Sequence, residues 1–374
     1  MKTLILALSM VLALNSYAYE SDQHTVPKEE LADVGVDISK FIYAQTKLAV
    51  DKLNLDLKEL PAKIEETKKR LQSQEALEKP LLKRELKKKL AQDEARLASI
   101  QTDAGVVAAV YDELGGTFTW EDQRDGVFGL PLSIIPYPDN IKDNKPITYL
   151  PGKLKTIYSF SGFHRIISPS YFVFCSSLKM YGVYLGVDKL GHMFNQGYEY
   201  YALYHKGLTE KKSADEALKA VIAWGEETEK GMYGMVVDGV YSNGDLAANF
   251  GGFHYYENLL NPITLDDEIL APLLKINEDR SVSFNSERTV APEDLLRPVI
   301  TDHLNEAINP SHFEKLQRGI IKKAIKNRCE GIIRFYNIES AQDILEKTDS
   351  LKSWHGKEYG HRSDDLLKIN ELCF

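Results

Sequence analysis

The sequence is short of cysteine, of positive charge and of long apolar runs. Only 3 of its 374 residues are cysteine. That is far below the density of a disulfide-built scaffold. Basic residues number 46 against 55 acidic ones, a formal charge of -9. A nucleic-acid binder needs a basic face to meet phosphates, so no nucleic-acid partner is expected. Past the first twenty residues no run of eighteen uncharged apolar residues occurs. The nearest candidate, Ile166 to Val187, is broken by Pro169, Ser170, Ser176, Ser177 and Lys179 and reads as buried core, not a bilayer span. The chain has no G-x-x-x-x-G-K-[ST], no G-x-G-x-x-G and no G-x-S-x-G, so nucleotide, dinucleotide and α/β-hydrolase readings fall away. What is present, 43% hydrophobic and 27% charged residues, is an ordinary globular composition that excludes wholesale disorder.

The N-terminus carries the strongest local signal. Lys2 precedes an apolar stretch from Leu4 to Leu14, and Ser16-Tyr17-Ala18 follows as a small-x-small cleavage site. This is the pattern of a secretory signal peptide over residues 1–18, too short to cross a bilayer as a stable helix. No cysteine stands at the cleavage site, so a lipid anchor is not expected. The expected location is periplasmic or secreted, with no transmembrane span after cleavage. In such a compartment Cys329 and Cys373 can pair and tie down the chain end, although three pairings exist among Cys175, Cys329 and Cys373. Cys175, in an apolar stretch, reads as a small buried hydrophobe.

The pattern is mostly α, with an N-terminal helical hairpin, a multi-helix globular core and few short strands. Residues 28–101 lack glycine after Gly35, and apolar residues recur at Leu31, Val34, Ile38, Phe41, Ala44 and Leu48, then from Leu53 to Ile64. A second stripe runs from Leu82 to Ile100. This helical spacing predicts two long antiparallel helices, the second opened by Pro80. Their lysines and arginines, such as Lys68, Arg70 and Lys87, allow a patch for an anionic cell-envelope polymer or lipid. Glu65, Glu66, Glu75, Glu78 and Glu85 among them favour a solvated face. A central helical domain is expected over 102–262, with helices near 187–206, 213–231 and 243–260. Ser213 and Glu216 form a capping box, and Asn243 is a candidate cap. A C-terminal helical region is expected over 263–374, with loops near 276–290 and 350–364 and Ser340 capping one helix.

The chemistry-bearing residues concentrate in the central region. Asp188 and His192 stand four apart and share a helix face, which Gln196 continues. A carboxylate beside an imidazole fixes its tautomer and raises its basicity. An apolar run from Ala217 to Trp224 leads to Glu226, Glu227 and Glu229. A carboxylate at the end of such a helix can be desolvated and act as a general acid. Asp238 precedes a turn. Asp245 and Asn249 lie four apart on a helix of small residues, and a buried aspartate there needs a partner such as His192 or Lys189. Each fragment also has a bland reading, as a helix cap or a solvated helix end. A divalent metal is conceivable on His192, Asp238 and Asp245, with Glu226 beside them.

The order Asp188, Lys189, His192, then Glu226 or Glu229, then Ser242, Asp245, Ala248, Asn249 and Gly252 has the form D-K-x-x-H … E … S-x-x-D-x-x-A-N-x-x-G. Over about residues 188–252 it resembles a bacterial periplasmic lipoprotein family of unknown function and the VanZ-like proteins. The resemblance implies a compact helical unit with its polar residues clustered between helices. This chain departs from those proteins in lacking membrane spans and in its long terminal additions. A second, looser pattern is the apolar helix ending in Glu226 or Glu227, followed by G-M-Y-G-M and D-L-A-A-N-F-G-G. It is similar to the lysozyme-type transglycosylase layout, and it implies that one of those glutamates is the acid.

Together these features lead to the expectation of a bacterial cell-envelope protein with a buried His/carboxylate cluster, a hydrolase of envelope glycan or lipid. In it His192 is the base or a metal ligand oriented by Asp188, Glu226 or Glu229 is the acid, and Asp245 and Asn249 orient substrate or metal. The alternatives are a non-catalytic structural or partner-binding protein whose cluster only locks helices, and a peptidoglycan glycosidase with Glu226 or Glu227 as acid.

Overall fold

A computed structural model describes residues 20–73, 78–115, 141–151, 155–158, 175–231, 234–236 and 239–374. The expected signal peptide and Asp238 lie outside the described residues. The chain is mostly α-helical with short strands, and none of the described helices is long and apolar enough to cross a membrane.

In chain order the elements begin with α1 (Gly35–Leu71), α2 (Pro80–Ile100) and α3 (Asp103–Gly115). Short strands follow: β1 (Ile141–Lys142), β2 (Lys145–Pro146), β3 (Thr148–Tyr149), β4 (Ser177–Met180) and β5 (Val183–Gly186). Then come α4 (Asp188–Gly191), a π-helical turn (His192–Gln196), α5 (Gly197–Thr209), α6 (Ala214–Lys230), β6 (Val240–Tyr241) and α7 (Asn243–Leu260). Four strands follow, β7 (Ile263–Leu265), β8 (Glu268–Leu270), β9 (Leu274–Ile276) and β10 (Val282–Phe284). The chain ends with β11 (His312–Phe313), α8 (Lys315–Lys326), α9 (Cys329–Phe335), α10 (Ala341–Ser350) and α11 (Ile369–Leu372).

The local signals act where the sequence places them. Ser213 accepts from the Glu216 N–H while the Glu216 carboxylate accepts from the Ser213 N–H, so the capping box starts α6. Ser340 accepts from the Asp343 N–H at 3.2 Å and starts α10. Two expectations are corrected. Helix in the C-terminal region begins only at Lys315; residues 263–284 form two antiparallel hairpins instead. Tight turns at Asp266 (φ 51°) and Arg280 (φ 69°) break any helical continuation there. The cap of α7 is Ser242, whose Oγ accepts from the Asp245 N–H at 3.0 Å. Asn243 is engaged elsewhere. Its amide donates to the Pro310 and Arg362 carbonyls and accepts from the Arg362 N–H.

The chain divides into two compact units. The first comprises Met1–Lys40, Thr117–Tyr255 and Ala291–Phe374. Its apolar core joins Ile157, Val240, Ile308, Phe313, Ile321, Ile325, Ile332, Ile344 and Leu367. Strands β3, β4 and β5 form one antiparallel sheet, and the N-terminal segment runs beside β4 through bridges from Ser21 to Cys175 and from Asp33 to Lys179. The β4–β5 turn has Tyr181 at φ 51° and Gly182 at φ 85°, and Asp33 accepts both of their N–H groups. Strand β6 pairs with β11. A disulfide joins Cys329 to Cys373 and fixes α11 against α9, while Cys175 is a buried free thiol.

The second unit comprises Phe41–Gly116 and Tyr256–Val290. Leu53, Leu60, Ile64, Leu86, Ile100, Val107, Val110 and Val282 are buried. Asn54 donates to the Val282 carbonyl and accepts from the Val282 N–H, both at 2.8 Å. Lys68 pairs with Glu94 at 3.2 Å and Arg96 with Asp56 at 3.0 Å. Within α1, Lys63 pairs with Glu59 at 2.6 Å on the solvated side.

Candidate functional site

The β4–β5 hairpin delivers the chain to Asp188 at the start of α4. Asp188, His192 and Gln196 follow at intervals of four, and they keep slight solvent contact at 8%, 6% and 9% exposure. Between them the helix widens into a π-turn, with the Gly197 N–H reaching back to the His192 carbonyl. Such turns are rare and favour functional positions. The partner element is α7. A Cβ on Gly197 would lie 2.6 Å from the Gly252 Cα, and one on Gly252 would lie 1.9 Å from the Met193 carbonyl oxygen. Glycine at both positions lets two backbones approach and sets the π-turn against the face of α7 that carries Asp245 and Asn249.

Lys189 is the centre of the cluster. It is fully buried, and its Nζ donates to Asp188 Oδ2 at 2.6 Å, Asp245 Oδ1 at 2.5 Å and Glu306 Oε1 at 2.7 Å. Burial alone would lower its ammonium. The carboxylates of Asp188, Asp245, Glu306 and Glu20 outweigh that, and its pKa lies well above the usual lysine range. Asp245 turns its other oxygen to His192 Nε2 at 3.3 Å. Burial opposes its charge, but His192 when protonated and the Lys189 ammonium hold its carboxyl below the usual range. His192 Nδ1 faces Gln196 Oε1 at 2.6 Å and Asn249 Oδ1 at 3.2 Å. With the two amide oxygens turned this way, a proton on Nδ1 has an acceptor in each.

Two further carboxyls close the cluster. Ser242 donates its Oγ–H to Glu306 Oε1 at 2.7 Å, and its N–H donates to Glu229 Oε2 at 3.2 Å. Burial pushes Glu306 up to about 7, against the pull of Lys189. Burial also pushes Glu229 well above the carboxylate range, and Asp245 adds to the effect. Gln23 accepts from the Glu306 N–H at 3.2 Å, and Glu20, Asp245 and Glu306 bring carboxylates within 4.8 Å of one another.

The structure therefore brings together Asp188, His192, Glu229, Asp245 and Asn249 from the expected set. It does not bring in Glu226, which pairs with Lys230 at 3.3 Å on the outer side of α6; Glu227 does the same at 3.1 Å. The buried stripe of α6 is Ala217, Val221, Gly225 and Glu229, a run of strict i+4 steps that selects Glu229. His192 is oriented by Gln196 and Asn249, not by Asp188, which is bound to Lys189. Glu306 and Glu20 carry no periodic or motif signal that marks them. Lys189 stands inside the D-K-x-x-H motif, and the chemical need of Asp245 for a cation points to it. Two further histidines lie elsewhere: His303 bridges Thr301 and the Ser353 carbonyl, and His254 stacks on Trp354 at 4.7 Å.

No family model matches the chain, and neither does any curated protein or solved structure.

Proposed function

We propose that the protein is an exported cell-envelope hydrolase acting on glycan or lipid, with the Lys189-centred cluster as its acid–base centre. One observation carries the reading. A polar lock between helices needs charge balance, yet here one ammonium meets the carboxyls of Asp188, Asp245 and Glu306, with Glu20 behind them. Carboxyls buried in excess of cations are costly in their charged form, so burial drives protons onto some of them, and groups that trade protons are what acid–base chemistry needs. His192, on the edge that keeps solvent contact, is the base. Glu229, held in its protonated form by burial, is the acid. Asp245 and Asn249 hold the imidazole, and Lys189 keeps Asp245 ionised. Asp188, Lys189, His192, Glu229, Ser242, Asp245 and Asn249 all belong to the VanZ-like pattern and all meet in this cluster, which supports reading the chain as a soluble relative of that group. Export is supported by the N-terminal pattern of residues 1–18 and by the Cys329–Cys373 disulfide, a bond typical of oxidising compartments. The N-terminal helices form an antiparallel hairpin in this reading, which the Lys68–Glu94 and Asp56–Arg96 pairs support.

The test is to incubate residues 19–374 with purified peptidoglycan sacculi, and in parallel with vesicles of phosphatidylethanolamine and phosphatidylglycerol, and to weigh the soluble products. Products are expected from the wild type and from Glu226→Gln, and none from Glu229→Gln. Absence of product on both substrates would overturn the hydrolytic reading.

The second reading is a non-catalytic envelope protein whose cluster locks helices. The complete burial of Lys189, which leaves its ammonium no access to a substrate, favours it. Under it, His192→Ala and Asp245→Ala lower the melting temperature while no turnover exists to lose.

A further inference from the structure

The geometry points to a divalent-cation site at Asp188, His192 and Asp245, best suited to zinc. It lies in the cluster read above as hydrolytic and rests on that reading only for what the ion would serve. One ligand atom from each of the three residues lies within 4.8 Å of the other two, and all three residues are buried. Lys189 does not use up the donors. It takes Oδ2 of Asp188 and Oδ1 of Asp245 and leaves one oxygen on each.

Those remaining atoms lack a cation. Asp188 Oδ1 is buried and meets no hydrogen-bond donor among the described residues. Asp245 Oδ2 faces His192 Nε2 at 3.3 Å. On its other side the ring presents Nδ1 to Gln196 Oε1 at 2.6 Å. With the ring proton on Nδ1, the lone pair on Nε2 confronts a carboxylate oxygen, and two acceptors at that distance attract only if a positive charge lies between or beside them. Protonating the ring would supply one charge. A divalent ion would supply two, and it would also give Asp188 Oδ1 a partner. The Nδ1 contacts to Gln196 and Asn249 are what a metal-bound imidazole requires, because a hydrogen bond at one ring nitrogen directs the other to the metal. Asp188, His192 and Gln196 keep slight solvent contact, so this is the edge through which an ion and its waters enter.

The donor set selects the ion. One imidazole nitrogen and two carboxylate oxygens suit zinc, whereas the harder calcium and magnesium prefer all-oxygen sets. The other candidates are weaker. Glu20, Asp245 and Glu306 already surround the Lys189 ammonium. Beside buried His312, Asp364 and Asp365 are exposed, and Arg362 and Arg318 neutralise these two aspartates.

The test measures binding, not turnover. The exported chain is stripped with chelator and titrated with zinc by calorimetry at pH 7.5, alongside Asp188→Asn, His192→Gln and His312→Ala. The expected result is one equivalent of zinc on the wild type and on His312→Ala, with affinity weakened at least tenfold in the other two. No binding by the wild type overturns the site whatever the variants do. Undiminished binding in Asp188→Asn and His192→Gln also overturns it, as does loss confined to His312→Ala. Metal-stripped protein that still cleaves sacculi while zinc fails to bind leaves the hydrolytic reading standing and removes this one.

Discussion

Lys189 and Asp245, 56 residues apart in the chain, meet at 2.5 Å in the protein interior, and the second oxygen of Asp245 lies 3.3 Å from His192 Nε2. One aspartate thus joins the buried ammonium of the cluster to its imidazole. The consequences can be measured.

Replacing Lys189 by methionine removes the positive charge and leaves Asp188, Asp245 and Glu306 facing one another. Breaking a buried pair from one side costs about 3–5 kcal/mol. The urea midpoint should fall accordingly at pH 7 and recover in part at pH 5, where carboxyls take up protons. A shift below about 1 kcal/mol would mean that the carboxylates find other compensation.

Glu229→Gln should be tolerated, because burial raises this carboxyl well above the carboxylate range and so favours its neutral form. A group whose folded pKa is raised stabilises fully below its unfolded value, and that contribution is lost as pH rises through the folded value. The variant should therefore match the wild type near pH 4 and gain on it with rising pH. Denaturant melts at pH 4, 6 and 8 check this; a variant that loses ground with rising pH would show the carboxylate form to be the stable one.

Gly197→Ala and Gly252→Ala each insert a methyl where backbone already stands, at 2.6 Å from the Gly252 Cα and at 1.9 Å from the Met193 carbonyl oxygen. Each should cost about 1–3 kcal/mol from overpacking and should disturb His192. Gly191→Ala, one residue before His192, meets nothing within 4 Å. It should be neutral or stabilise by up to about 1 kcal/mol through helix propensity. Thermal melts of the three variants decide, and equal losses in all three would refute close approach as the cause.

Acid should destabilise the fold through buried histidines. Burial lowers His24 to about 4, with Asp22 opposing it. Burial also lowers His254 to about 3, with Lys357 and His355 adding to the effect. Unfolded histidine titrates near 6.5, so below that pH the unfolded chain binds more protons than the folded one. The stability these rings contribute is complete above about 6.5 and is lost as pH falls toward their folded values. Between pH 7 and 5 the His254→Phe variant should lose less stability than the wild type, by about 2 kcal/mol. Equal losses would show that His254 is already charged in the fold.

The local rules were legible from residues alone. Ser213 and Glu216 mark the start of α6, and the four-residue step that places Asp245 beside Asn249 follows from 3.6 residues per turn, whereas the π-turn at His192–Gln196 leaves no mark in the spacing. The same rule, applied strictly from Ala217 through Val221 and Gly225, separates buried Glu229 from Glu226, a distinction that a looser reading of the helix end misses. Strands stand where helix is expected between 263 and 276, because the apolar residues there do not betray the tight turn at Asp266.

The sequence by itself determined helix positions, caps and the residue types available for chemistry, because these depend on neighbours three or four residues away. Only the tertiary structure decided which carboxylates surround Lys189. Glu306 follows a 3₁₀ turn (Asp302–Leu304), and Glu20 precedes the segment that runs beside β4; neither has a helical period to reveal its direction. Their approach depends on the closeness of Gly197 to Gly252 and on Gln23 and Ser242 binding Glu306. Those contacts link residues tens to hundreds of positions apart, and packing alone selects them.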